Sequence, residues 1–349
     1  MRTQKKDNPL KKRLLLTNHH HKKLLLIMMK ILKRFSVFLL FELLFVSCSA
    51  SVQFPEYTSA EEAYNQGRYQ TALTFINRAI EIQKDQSDFY VLRARANYKI
   101  GNKNLAMDDL NRSLDLQKNF NAYHLRGKLF LENSELEKAK EDFRNAYEMN
   151  SQSADLLFDL GYLEYLNGEN QLALEYYLSA SKLDSKNPAT YVNIGNIYAM
   201  MGDSKLAIDN YSKALVLDTT DGVAYYNRAN EKMLTGDFIG AVEDYENSLL
   251  IDSTNINTLF SVAEVRTRLD DFKGAINNYN SIVKLDSTLA KAYYLRGIAE
   301  INLRQNDKAC IDFKTAGEQG YFDAYEMIKK YCEPKKESQK KKVQKKNKR

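Results

Sequence analysis

Residues 191–215 read YVNIGNIYAMMGDSKLAIDNYSKAL, and this stretch decides the fold. Gly202 divides it at a point where a residue with positive φ can end a helix. Tyr211 follows Ala207 by four places and therefore shares a helix face with it. Gly195 and Ala207 are small, so the two halves can approach each other closely. The stretch predicts a hairpin of two helices joined by a tight turn.

The hairpin recurs along the chain with a period of 34 residues. Every copy has an alanine at the place of Ala207, and neighbouring copies lie 33 or 34 residues apart. These alanines are Ala72, Ala106, Ala139, Ala173, Ala207, Ala241, Ala275 and Ala309. Four places after each stands a bulky residue: Ile76, Leu110, Phe143, Tyr177, Tyr211, Tyr245, Tyr279 or Phe313. One hairpin cannot bury its own apolar faces, so we expect the copies to stack on a continuous core.

The composition agrees with a mostly helical protein. The 349 residues include only 4 Pro and 14 Gly, with 23 Tyr and no Trp. This scarcity of turn residues argues against a sandwich of short strands. Three cysteines are too few for the framework of a small disulfide-rich domain.

The fifth copy resembles the tetratricopeptide repeat at its signature positions, which are Tyr191 to Tyr198, Gly202, Ala207, Tyr211 and Ala214. The resemblance covers residues 55–320. It implies an all-α fold, a right-handed superhelical solenoid of about eight helix-turn-helix repeats, with a C-terminal capping helix over residues 321–333. The family's proline near the end of each unit is absent. Residues that we expect to cap the next helix stand there instead: Ser151, Ser185, Thr219, Ser253 and Ser287.

The N-terminal region resembles the signal of an exported bacterial lipoprotein. Basic residues precede a short apolar run over residues 35–47, which ends in small residues beside Cys48. Phe45-Val46-Ser47-Cys48 is similar to a lipobox, although Phe replaces the usual Leu. We therefore expect a signal peptide over 29–47, a lipidated Cys48, and a linker over 48–54. A plain secretory signal cut nearby is the alternative.

Residues 1–28 fit no part of this signal. They hold basic clusters, short leucine runs and three consecutive histidines. Met29 begins a better signal, so we expect the first 28 residues to lie upstream of the true start. The chain is then predicted to be exported and anchored by lipid to a bacterial cell membrane, in the outer membrane or envelope.

Charge is distributed unevenly along the chain. Residues 335–349 hold nine Lys and Arg, and residues 1–34 hold eleven, whereas residues 48–334 carry 31 basic and 42 acidic side chains. The acidic body argues against nucleic-acid binding by the folded part. We expect residues 334–349 to be a disordered basic tail, either a solubility tail or a contact for anionic surfaces.

The family resemblance implies binding. In this family the first helices line a concave face that usually holds an extended peptide or a partner's helix. The side chains expected there in copies four to six include Asp155, Phe158, Asp159, Tyr162, Tyr165, Asn193, Asn196, Tyr226, Asn227 and Asn230. Asn193 and Asn227 occupy the place of an asparagine ladder in some family members. An amide both donates and accepts, so it can pair with a peptide backbone of any sequence. Alternatively, these amides satisfy only local groups.

No enzyme or cofactor is expected. The mature chain has a single histidine, His124, and lacks a Gly-rich phosphate loop, an H-E-x-x-H motif and a Cys/His cluster. Arg95 and Lys128 make only an incomplete carboxylate clamp.

The leading hypothesis is a membrane-tethered scaffold that binds a protein or peptide. A structural subunit of an envelope assembly (secretion, pilus or outer-membrane complex), using the convex face or array ends, is the alternative. A third is a binder of nucleic acid or anionic surfaces working through the tail.

Two cysteines lie near the C-terminal end of the array. Cys310 occupies the place held in other copies by residues that pack toward the next element, and Cys332 lies on that element. Export permits oxidation, so we expect either a Cys310–Cys332 disulfide or two buried free thiols.

Overall fold

The computed structural model describes residues 54–333. These residues form 17 α-helices and no strand. The predicted upstream segment, signal peptide, Cys48 and basic tail lie outside the described residues. The all-α repeat fold is confirmed.

The helices divide into two compact units. The first unit holds α1 (Pro55–Asn65), α2 (Tyr69–Ile82), α3 (Ser87–Lys99) and α4 (Lys103–Leu116). The second unit begins with α5 (Phe120–Glu132), α6 (Leu136–Met149), α7 (Ala154–Leu166), α8 (Asn170–Leu183), α9 (Pro188–Met200) and α10 (Ser204–Leu217). It continues with α11 (Gly222–Thr235), α12 (Phe238–Ile251), α13 (Ile256–Arg268), α14 (Phe272–Leu285), α15 (Ala290–Asn302), α16 (Asn306–Glu318) and α17 (Asp323–Met327). A π-helical turn, Ile328–Cys332, follows α17.

Each pair of helices forms one hairpin, with two hairpins in the first unit and six in the second. The predicted small and bulky positions build the contact inside the hairpin. A Cβ atom added to Gly195 would lie 2.6 Å from the ring of Tyr211, so α9 and α10 can approach this closely only because residue 195 is glycine. Tyr211 is buried there, as are Tyr177, Tyr245, Phe143 and Phe313 in their own hairpins.

The turn between the two helices needs a left-handed residue. The five predicted glycines have φ between 74° and 86°: Gly67, Gly101, Gly168, Gly202 and Gly236. Three hairpins lack this glycine, and Ser134, Asp270 and Arg304 adopt φ near 60° at the same place. The turn geometry is therefore kept even where the residue is unfavourable for it.

The predicted caps were wrong by two positions. The side chains of Ser153, Asn187, Asp221 and Asn255 accept hydrogen bonds from backbone N–H groups at the start of α7, α9, α11 and α13. Ser151, Ser185, Thr219 and Ser253 instead lie in the preceding turn, where a helix N-terminus cannot be reached. Leu289 precedes α15, whose N-terminus has no side-chain cap.

A buried ion pair, which was not predicted from the sequence, joins the two helices in four of the hairpins. Arg228 on α11 makes two hydrogen bonds to the carboxylate of Asp244 on α12, at 2.7 and 2.8 Å. Its Nη1 also donates to Ser212 Oγ on the preceding hairpin. The equivalent pairs are Arg93–Asp109, Arg126–Asp142 and Arg296–Asp312. Arg228 therefore links three helices, and it satisfies a carboxylate that is almost fully buried.

The C-terminal segment packs on the last hairpin. Tyr321 lies against Tyr294, with ring centroids 4.6 Å apart, and Met327 and Ile328 pack on the core around Phe313. Phe322 lies within the predicted capping segment but does not cover this hairpin, because 76% of its surface is exposed. The reason is that it precedes α17, at the turn, whereas Ala324 faces the core.

A disulfide joins Cys310 on α16 to Cys332 at the end of the π-helical turn. Their Cα atoms lie 5.6 Å apart. The bond closes a loop over 22 positions and ties the end of the described chain to the eighth hairpin.

Candidate functional inner face

The first helices of the second unit form its inner side. α5 contacts α7 and α9 contacts α11, whereas no two neighbouring second helices contact each other to this extent in the described residues. At these two places the stack is closer on the side of the first helices. We call the exposed side of α7, α9 and α11 the inner face.

Side chains that share one side of each helix define this face. On α11 they are spaced three and four residues apart, which places them within about a third of the helix circumference. The inner-face residues of α11 are Val223, Tyr226, Asn227, Asn230 and Leu234. Their equivalents on α9 are Ala189, Val192, Asn193, Asn196 and Met200.

Asn196 connects two hairpins. Its Oδ1 accepts a hydrogen bond from the hydroxyl of Tyr211 at 2.8 Å and another from Nδ2 of Asn227 at 3.0 Å. The two bonds fix which way the Asn196 amide faces, because its oxygen is held inward and its NH₂ group is left toward the inner face.

Asn230 is held in a similar way. The hydroxyl of Tyr245 donates to its Oδ1. Burial raises the pKa of Tyr245 to about 12, so this hydroxyl keeps its proton at neutral pH and remains a donor. Burial also raises the pKa of Tyr211 above its usual value, with the same consequence for Asn196.

The side chain of Asn193 makes no hydrogen bond to any part of the chain that the structure describes, and it is half-buried. The two positions expected to form a ladder thus differ, because Asn227 already donates to Asn196 and Asn193 is unengaged.

The tyrosines at the predicted site differ in exposure. Tyr162 on α7 is exposed, while Tyr165 packs partly against the core cluster that holds Tyr177 and Ile194. Tyr226 on α11 packs against Tyr245 with ring centroids 5.6 Å apart. Tyr162 offers a free aromatic surface, whereas Tyr165 and Tyr226 also support the fold.

Asp159, which was expected among the side chains of the concave face, is not available there as a free acidic group. It is buried, its Oδ2 lies 2.7 Å from His124 Nε2, and Lys128 Nζ lies 3.5 Å away. These contacts join α5 to α7 and give the carboxylate two partners within the fold. Lys128 is therefore engaged as well and does not extend a carboxylate clamp. Asp155 remains exposed at the start of α7.

A row of aliphatic residues along the turn end of the inner face was missed in the sequence. Leu166, Met200 and Leu234 are 44%, 58% and 71% exposed, and they occupy the same place in hairpins four to six. Aligning the eight copies would have revealed this row from the sequence. The other five copies have polar or charged residues at this place: Asn65, Lys99, Glu132, Arg268 and Asn302.

A cleft opens at the opposite end of α11. Its volume is about 280 Å³, and its walls include Val223, Tyr226, Ile251 and Asn255. Val223 and Ile251 are exposed aliphatic residues that form an apolar wall, and Asp252 and Asn255 form a polar rim. A larger hollow of about 440 Å³ lies on the other side of the stack, between Tyr147 and Tyr176.

The described residues contain no group of three or more His, Cys, Asp and Glu side chains placed to hold a metal ion. No helix among them is both long and apolar enough to cross a membrane.

Comparisons with known proteins agree with the repeat architecture. Residues 124–188 and 188–221 match family models of the tetratricopeptide repeat. No curated protein sequence matches the chain.

Solved structures of the same fold share little sequence with the chain. The C-terminal part of a TPR repeat-containing protein from Cytophaga hutchinsonii is 19% identical, with a TM-score of 0.52 over 68% of this chain and 97% of that one. PilF from Pseudomonas aeruginosa is 20% identical, with a TM-score of 0.51 over 58% and 92%. YrrB, described as a TPR protein with an unusual peptide-binding site, is 21% identical, with a TM-score of 0.50 over 54% and 97%.

Proposed function

The chain is a tetratricopeptide-repeat protein, and we propose that it is a membrane-tethered scaffold that binds an extended segment of a partner protein on the inner face of hairpins four to six. The binding is non-catalytic. Peptide binding is stated for YrrB, which shares the fold, and the proposal extends that kind of binding to this chain.

The arrangement of the inner-face amides carries the proposal. Asn196 and Asn230 each accept a hydrogen bond from a buried tyrosine and have no acceptor for their NH₂ groups in the described residues. Asn227 donates to Asn196 and has no donor for its Oδ1. Each of these amides is oriented by a hydrogen bond at one end and has an unpaired group at the other. It is therefore pre-organised to pair with an N–H or C=O group of a peptide backbone.

The membrane tether is the acylated Cys48. Two or more acyl chains, at about 0.8 kcal/mol per buried methylene, would hold the protein to a membrane essentially permanently. The basic tail would add attraction to an anionic surface, on the order of 1 kcal/mol per charge and lost at high salt. Intact-mass analysis tests the tether: a mature chain beginning at an acylated Cys48 is expected, and an unmodified Cys48 would refute it.

A second candidate is a structural subunit of an envelope assembly that docks through the end of the array. The observation in its favour is Ile311, which is exposed at a place where the other seven copies have a polar residue. Phe322, in the C-terminal segment that follows this hairpin, is exposed as well.

Site-specific photo-crosslinking on intact envelopes separates the two candidates. A photoreactive residue replaces Asn193 on the inner face, Leu250 on the outer side of α12, or Phe322 at the array end, one at a time. We expect a discrete crosslinked partner from position 193 only. Crosslinks from position 322 alone would favour the structural subunit and contradict the scaffold.

A further inference from the structure

We infer that the inner face of α9 and α11 selects an uncharged, extended segment with two aliphatic side chains about four residues apart. The inference rests on the proposed function, because it names the chemistry of the segment that the same face binds.

The first observation is the absence of charge on this part of the inner face. None of its ten side chains on α9 and α11 is acidic or basic. α9 has no charged residue at all. Three residues of α11 are charged. Arg228 and Lys232 face away and pair with Asp244 on α12, at 2.7 and 2.8 Å, and Glu231 is buried. A charged side chain of a ligand placed over the four amides of these two helices would therefore lose its water without gaining an ionic partner. A carboxylate, that of Asp252, is present only in the cleft beside Val223.

Charged residues lie on the first helices at both sides of this strip. At the place of Asn196 and Asn230, the third hairpin has Lys128 and the seventh has Glu264. Lys128 lies beside Asp159, and Glu264 is paired with Arg268 at 2.8 Å. The uncharged strip is therefore particular to hairpins five and six and is not a general property of the repeat.

The second observation is that α11 has an apolar contact at each end of the strip. Val223 forms part of the 280 Å³ cleft with Ile251, and Leu234, the equivalent of Met200, lies exposed at the other end. The amides Asn227 and Asn230 lie between them. The inner face of α11 thus offers the aliphatic wall of a cleft, two amides that can pair with a backbone, and an exposed leucine.

The spacing of these contacts sets the spacing in the ligand. Val223 and Leu234 are eleven residues apart, which is about 16 Å along a helix with a rise of about 1.5 Å per residue. Two side chains on the same side of an extended chain, four residues apart, are separated by about 13 Å. Their own reach covers the remaining distance, whereas a separation of two residues, about 7 Å, is too short to contact both ends.

Synthetic nonapeptides test the inference against the full-length protein in detergent. The parent peptide has two leucines four residues apart in a background of Ser, Thr and Gln. One variant brings the leucines two residues apart, and two others replace a central Gln by Lys or by Glu. Fluorescence anisotropy is expected to show the parent binding about tenfold more tightly than each variant. Equal binding of all four, tighter binding of a charged peptide, or no binding of the parent would overturn the inference.

Substitutions in the protein test whether the peptide binds on α11. Leu234→Ser and Val223→Ser should each weaken the parent peptide's binding several-fold. Leu250→Ser is the matched control, because Leu250 is an aliphatic residue of the same hairpin with 83% exposure and lies on α12. All three side chains are exposed, so circular dichroism should show an unchanged fold. An equal effect of Leu250→Ser would contradict the assignment. Partner crosslinking from position 193 combined with no peptide preference would refute this inference alone, whereas loss of that crosslink would refute the proposed function.

Discussion

Asn227 donates a hydrogen bond from Nδ2 to Oδ1 of Asn196, 3.0 Å away on the first helix of the preceding hairpin. The bond joins two repeats through the side chains that are proposed to hold the ligand. Binding and repeat stacking therefore share the same residues, and substitutions can separate the two effects.

The free energy of unfolding should depend more on Asn196 than on Asn193. Asn196→Ala removes the acceptor of the buried Tyr211 hydroxyl and of Asn227, so we expect a loss of about 1–2 kcal/mol in unfolding free energy. Asn193→Ala removes no hydrogen bond and should change stability by less than about 0.5 kcal/mol. Urea denaturation of both variants measures the difference. Equal losses would show that Asn193 also has a structural role.

The buried ion pairs should differ in their sensitivity to loss of the arginine. Arg296→Ala leaves Asp312 buried without its cation and beside Glu300, so we expect a loss of about 3 kcal/mol. Arg228→Ala leaves Asp244 paired with Lys232, and a loss of about 1–2 kcal/mol is expected. Hydrogen exchange, read separately for each hairpin, tests this order because repeats open in local units. A larger effect of Arg228→Ala would contradict it.

Glu300 should make stability depend on pH. It is buried, its Oε2 has no hydrogen-bond partner, and burial followed by repulsion from Asp312 raises its pKa to about 7. The unfolded chain loses this proton near its usual pKa of 4.5, and the folded chain keeps it to about 7. Stability is therefore expected to fall as pH rises across that interval.

Glu300→Gln removes this ionisation. At pH 8 we expect the variant to melt at a higher temperature than the parent, with a gain on the order of 2 kcal/mol in the free energy of unfolding. At pH 4 the two should melt at about the same temperature. Glu318→Gln, an exposed glutamate on α16, is the control and should show no such difference. Parallel melting curves for Glu300→Gln and the parent at all pH values would contradict the assignment.

The Cys310–Cys332 bond should hold the C-terminal segment on the array. It closes a loop over 22 positions, so its removal in the Cys310→Ser/Cys332→Ser variant should cost about 3 kcal/mol. The effect should be confined to α16, α17 and the π-helical turn, where amide exchange is expected to accelerate. Thiol labelling of the unreduced, denatured protein checks the bond itself, and two reactive thiols at positions 310 and 332 would refute it.

Much of the fold could be predicted from the sequence because the same pattern of small, bulky and turn residues recurs in successive copies. The small residue at Gly195, the bulky Tyr211 and the turn glycine Gly202 have equivalents in most copies, so chance matches are averaged out. Ser134, Asp270 and Arg304 were not expected to adopt a positive φ, because none is glycine. Only stacking of the two helices around them imposes that conformation.

The candidate site was less predictable because it depends on contacts between repeats. The sequence places Asp159 on the inner face, but its pairing with His124 requires knowing how α5 and α7 meet. The Arg–Asp pairs recur at a separation of 16 residues in four copies, so aligning the copies would have shown them. The same alignment would have shown Leu166, Met200 and Leu234 as exceptions to a polar position.

The affinity of the Asn193→Ala/Asn227→Ala variant for its crosslinked partner segment tests the central claim most directly. If each buried amide contact contributes about 1 kcal/mol, the double variant should bind at least about tenfold more weakly than the parent, with its helical content unchanged. Unchanged affinity would contradict binding by the inner face and would move the interface to the outer side or the end of the array.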